Sequence, residues 1–145
     1  MKTRRIRVWA AALAVALAVG GAQKALSSVE TDSVQLKPGF RAVTLPILKH
    51  QLINLKPGER VDLMVTFDAI LAKGEKEKIT ATILQNVLVL TVNLAETTVG
   101  LMVNPNEAQY AALATDKGEL WLLVRTPGDT EVKPMEMASF RKLFR

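Results

Sequence analysis

The chain has 145 residues, 49% of them hydrophobic and 23% charged, and no cysteine. That leaves room for one modest core and excludes both a disulfide framework and a thiolate metal site. Its formal charge of +5 includes Lys2, Arg4, Arg5 and Arg7, and removing those four leaves +1 for the remainder, too little for the basic footprint that nucleic-acid binding requires.

In chain order, the first element is a targeting segment. The basic residues above precede an uncharged apolar stretch, Val8 to Ala22, which ends in the small residues Gly20-Gly21-Ala22. Residues 1–26 therefore read as a signal peptide or a membrane anchor. The apolar stretch is shorter than the roughly 20 residues a spanning helix needs, and extending it to Leu26 requires Lys24 to snorkel toward the headgroups. Cleavage and retention stay open, and under either the rest of the chain is expected outside the cytoplasm. Residues 27–35 are polar, without periodicity, and form a linker.

From residue 36 to 130, turn signals at Pro38-Gly39, Pro57-Gly58, Gly74, Gly118 and Pro127-Gly128 separate short apolar runs, the spacing of an all-β domain. Val61, Leu63, Val65 and Phe67 alternate with polar or smaller neighbours, as do Ile79, Ala81 and Ile83. Between them, Gly74-Glu75-Lys76-Glu77-Lys78 alternates in charge and predicts a solvent-facing hairpin tip. The run ATILQNVLVLTV from Ala81 to Val92 is too continuously apolar for an amphipathic helix, and predicts two buried strands hinged near Gln85-Asn86. Val99, Leu101 and Val103 make a further strand. Asn104 as N-cap, Pro105 in the first turn and Glu107 closing a capping box then predict a short helix ending at Lys117-Gly118. Gly118 is expected in the left-handed conformation, with Ala108, Ala111, Ala112 and Leu113 packing on the sheet. Glu119 to Arg125 gives the last strand. The expected core includes Val87, Val89, Leu90, Leu101, Leu122 and Val124. Residues 131–145 form a tail with an amphipathic helical segment after Pro134, presenting Met137, Phe140, Leu143 and Phe144.

Catalytic signals are weak. His50 is the lone histidine and so the single candidate base for a Ser-His-Asp arrangement. Asp62, Asp68, Glu75 and Glu77 lack the dense oxygen spacing of a calcium loop, and no glycine pattern matches a phosphate cradle. No enzyme activity, cofactor or metal is expected. Tyr110 and Trp121 offer rings on which a glycan could stack, although a Trp in an apolar strand more often belongs to the core.

PGFRAVTLP from Pro38, LKPGERVDLMVTF from Leu55, the ATILQNVLVLTV run and VNPNEAQYAALATDKGELWLLVRTPGD from Val103 together resemble the CpaB/RcpC family of Flp (type IVb, tight adherence) pilus assembly proteins. The resemblance covers about Leu36 to Asp129. Gly100, Met102 and Asn104 stand where more polar β-formers are usual, Glu59 replaces a commonly aspartic position, and the antifreeze-like (SAF) module that typically precedes this domain in the family is expected to be missing.

The resemblance implies a mainly β domain with one short α-helix, β-clip-like or a small barrel, in the periplasm and anchored to the inner membrane if residues 1–26 are retained. It also implies a scaffold role beside the pilus secretin and other pilus-assembly proteins. A periplasmic module for cell-wall glycan, such as peptidoglycan, is the alternative. Arg41, Arg60, Asp62, Arg125 and Asp129 lie inside the matching motifs and are the candidate partner-binding residues, equally able to brace turns. In the tail, Phe140, Arg141, Lys142 and Phe144 are the candidates for docking on a groove or an acidic surface.

Overall fold

The structure is a computed structural model that describes residues 34–72 and 74–144. The expected targeting segment, residues 1–26, and nearly all of the linker lie outside the described residues. Among the described residues no helix is long and apolar enough to cross a membrane.

The chain runs β1 (Arg41–Pro46), α1 (Lys49–Leu52), β2 (Arg60–Ile70), β3 (Lys76–Asn93), β4 (Thr98–Val103), α2 (Pro105–Lys117), β5 (Gly118–Val124) and β6 (Ala138–Ser139), then a 3-10 turn at Phe140–Phe144. Five strands order as β1-β4-β3-β2-β5, all neighbours antiparallel, and β6 pairs with β3 beyond the end of β4. The domain is mainly β with one main helix, as expected, and its sheet is open rather than closed into a barrel.

Alternation along β2 buries Val61, Leu63 and Val65 on one face. They join Leu45, Leu84, Val87, Val89, Val99, Leu101, Val103 and Leu120 in one cluster roofed by Ala111 and Ala114 of α2. Leu52 and Leu55 also enter this core, so the connection after β1 contributes packing that its irregular sequence does not announce. Leu122 is half-buried and Val124 is exposed, against expectation. The reason is that β5 is an edge strand, with β2 as its one strand neighbour among the described residues. Leu90 is buried but outside the main cluster.

The apolar run at residues 81–92 is one strand, not two. β3 continues through the expected hinge, and the irregularity there is a bulge. Val61 faces Val87, Leu63 faces Leu84 and Met64 faces Thr82, so β3 carries two extra residues across this stretch, and Asn86 takes a φ of 58°. Asn tolerates that left-handed conformation better than most residues, and the bulge bends the strand without interrupting it.

α2 starts as the sequence predicts. The Asn104 side chain accepts from the backbone N–H groups of Asn106 and Glu107, both at 2.9 Å, and the Glu107 carboxylate accepts from Asn104 N–H at 2.7 Å. Ala111 and Ala114 face the sheet, whereas Ala112 and Leu113 are exposed because the 3.6-residue repeat carries them off the packed stripe. Gly118 differs from expectation too. Its φ of −162° is extended, and the helix passes straight into β5. Glycine is required there for space, since a Cβ would stand 2.3 Å from the Thr66 carbonyl oxygen.

Candidate functional site

Two surfaces gather the candidate residues. The first surrounds the β3 bulge. Asp62 lies on the face of β2 opposite Val61 and Leu63, and Arg125 follows β5, where its backbone N–H donates to Arg60 O at 2.8 Å. The Arg125 Nη1 donates to both Asp62 carboxylate oxygens, at 2.8 and 3.0 Å. Its Nη2 donates to Asp129 Oδ1 at 2.8 Å and to the Glu131 carbonyl, and Asp129 Oδ1 also accepts from Glu131 N–H at 3.1 Å. Asp62 Oδ1 accepts from the N–H of Asn86, while Arg60 Nη1 donates to Asn86 O at 2.7 Å and to Asn86 Oδ1 at 3.1 Å.

Sequence proximity pairs Arg60 with Asp62 and Arg125 with Asp129, but in the fold Arg125 holds both carboxylates and Arg60 holds the bulge. The Arg125 side chain is only 8% exposed, so its hydrogen-bonding fork is occupied within the domain. Asp62, through hydrogen bonding and charge, and Asp129 in the same way favour the charged guanidinium and raise its pKa. In return the Arg125 hydrogen bond, followed by that from Glu131 N–H, holds the Asp129 carboxyl below its usual range. The network closes the turn 126–131 and aims the following segment at β3. Arg41 stands apart, exposed on β1 and donating to the Phe40 carbonyl at 2.9 Å.

The second surface is the C-terminal segment, which runs antiparallel along the side of β3 that β4 does not cover. Gln85 seizes Lys133, its Nε2 donating to Lys133 O at 2.7 Å and its Oε1 accepting from Lys133 N–H at 3.0 Å. Ala138 then faces Thr80, and Ser139 faces Ile79. Arg141 N–H donates to Glu77 at 3.2 Å, and the Arg141 guanidinium pairs with Glu75. Hydrogen bonds from the Ser139 hydroxyl and then from Arg141 N–H lower the Glu77 pKa. Thus the charged run after Gly74 is more than a solvated tip: Lys76, Glu77 and Lys78 belong to β3, and two of its carboxylates hold the tail.

The tail is not an amphipathic α-helix. Pairing of Ala138–Ser139 with β3 fixes extended backbone where a helix was expected, leaving a single 3-10 turn. In it the rings of Phe140 and Phe144 meet edge to face at 5.0 Å, and both stay exposed. Lys142 pairs with Glu136 at 3.5 Å.

The two rings offered for glycan stacking are not brought together. Tyr110 borders an apolar cleft of about 260 Å³ between α2 and the sheet, with Phe67 and Ile83. Trp121 is half-buried beside His50, ring centroids 6.2 Å apart, and His50 itself is exposed on α1. No group of three or more His, Asp or Glu side chains able to hold a metal occurs among the described residues.

Sequence reasoning missed Gln51, Gln85 and Asn86 as structural ligands. Gln51 accepts from Leu122 N–H at 2.7 Å and reaches Leu120 O at 3.4 Å, occupying the outer edge of β5 as a strand would. For Gln85-Asn86 a signal existed, since a polar pair inside an apolar run must satisfy its amides somewhere.

A family model described as Flp pilus assembly protein RcpC/CpaB matches residues 32–125, from ahead of β1 through the end of β5. No curated protein and no solved structure matches the chain.

Proposed function

Because the chain belongs to the RcpC/CpaB family of Flp pilus assembly proteins, we propose that it is a periplasmic scaffold of that machinery, acting through protein contacts near the outer-membrane secretin and without catalysis. The observation that carries this reading is the extent of the family match, which takes in the whole five-stranded body and α2. Support for a contact role comes from how the polar side chains are used. The Arg125 network is spent on holding strands and a turn together, and His50 stands exposed against Trp121. The basic, then apolar, residues 1–26 support export.

The test is made in a bacterium that assembles Flp pili. Removing this chain is expected to abolish surface pili, and the wild-type chain should restore them. A phosphatase that folds only in the periplasm, fused after Arg145, should be active. A photo-crosslinking residue at Arg41, exposed on β1, should capture the secretin. Normal pili without the chain would overturn the assembly role, an inactive fusion the location, and absence of the secretin from the cross-linked products the named partner.

A further inference from the structure

The side of β3 from Lys76 to Gln85 is a strand edge with an incomplete tenant. β4 pairs with β3 only from Leu88 onward, and the C-terminal segment supplies two backbone pairs, at Ile79 and Thr80. Its remaining holds are polar and local: the Gln85 amide on Lys133, and Glu77 and Glu75 on Arg141. None of residues 133–144 is buried. Met135, Met137, Phe140, Leu143 and Phe144 are 57% to 75% exposed, and Ile70 at the end of β2 is 75% exposed. A segment attached this way loses no core packing when it leaves. The edge it vacates is a template for an extended strand.

We propose that residues 133–144 exchange between two copies of this chain, each seating on the other's β3 edge, and that the exchanged pair covers the Met and Phe side chains of the segment. The occupant is a second copy because this segment is the strand whose fit to the edge is on display: its antiparallel direction, its register at Ala138 and Ser139, and the carboxylates that receive Arg141 are all in place. Exchange remakes those contacts between molecules at little cost. The Arg125 clamp on Asp129 and Glu131 keeps the preceding turn with its own sheet, which puts the crossover at Val132, just before the Lys133 that Gln85 receives. Two-fold pairing then sets each exposed Met and Phe face against its counterpart, removing from water a patch that a lone molecule displays.

The absence of cysteine gives a clean test. Full-length Thr80→Cys and Ala138→Cys chains, carrying different tags, are denatured, folded together at high concentration and mildly oxidised. Facing antiparallel Cα atoms lie about 4.5–5.5 Å apart, within the range that a disulfide spans. Exchange predicts a mixed disulfide dimer roughly tenfold above that from Thr80→Cys with Ala112→Cys, whose cysteine sits on the exposed side of α2 and reports chance collision. Ile79→Cys with Ser139→Cys should behave alike, which guards against a defect of the first pair. A chain carrying both Thr80→Cys and Ala138→Cys, oxidised when dilute, should stay monomeric by light scattering and dimerise once reduced. Collision-level yields from both pairs, or a locked chain that dimerises as well as the reduced one, would overturn the exchange. They would do so as well if the strand of another protein is the true occupant. Neither result bears on pilus assembly, which is read separately from pili on cells.

Discussion

Arg125 stands where β2, β5 and the turn toward the C-terminal segment meet, and its contacts there are cooperative rather than independent. Arg125→Ala should lower the thermal midpoint and release the 126–131 turn, and Arg125→Lys should rescue it poorly, because an ammonium cannot engage Asp62 and Asp129 with one planar fork. Asp62→Ala combined with Arg125→Ala should lose less than the sum of the two single losses, the mark of a shared contact, and melting of the four proteins measures this.

Glu77 gives a pH-dependent counterpart. Its folded pKa lies below the ordinary glutamate value, so its contribution is fully present above that value and is lost as pH falls through the lower, folded one. Acidification through that depressed, folded pKa should therefore loosen the C-terminal segment. The amide NMR signal of Arg141, which donates to Glu77, should follow the transition. Glu77→Gln should remove it, and an Arg141 signal that titrates unchanged in that variant would refute the assignment.

At the scale of elements, the strands and helix differ in how far each can be altered. Leu101 is fully buried in the main cluster, so Leu101→Ala should cost about 2–5 kcal/mol in chemical denaturation. Leu90→Ala should cost less, since Leu90 packs outside that cluster. Asn104→Ala removes both cap acceptors and should cost about 0.5–2 kcal/mol. Gly118→Ala should cost about 1–3 kcal/mol by pressing a methyl on the Thr66 carbonyl.

These elements also show what was legible in the sequence. The β2 alternation and the Asn104-Pro105-Glu107 cap could be read directly because their causes lie within a few residues of one another. The conformation of Gly118 was misjudged because the constraint comes from Thr66 on a neighbouring strand. Arg125 with Asp62 and Gln51 with Leu122 were invisible for the same reason, being 63 and 71 residues apart. The irregularity at Gln85-Asn86 is legible in the sequence but the expected division into two strands is not borne out, because a bulge and a hinge share one local signature, a polar pair in an apolar run. Pairing with β2 decided between them.

For the whole molecule, what matters is that the folded body and the C-terminal segment are separable in energy. The core closes between the sheet and its helices, and no residue from Pro134 to Phe144 belongs to it. The apolar side chains of the segment are displayed outward while its backbone rests on β3. Deleting residues 134–145 should thus leave the cooperative unfolding of the body nearly unchanged, within about 1 kcal/mol, as expected when only exposed side chains and edge contacts are lost. In the Flp pilus host the same deletion should abolish pili although the shortened chain accumulates normally, because a contact surface is gone and the fold is not. Denaturant melts of the purified protein and counts of pili by electron microscopy separate the two effects. A loss of several kcal/mol would mean that the segment completes the domain. Undiminished pili would mean that assembly contacts lie on the body, where Arg41 on the exposed β1 strand becomes the residue to alter next.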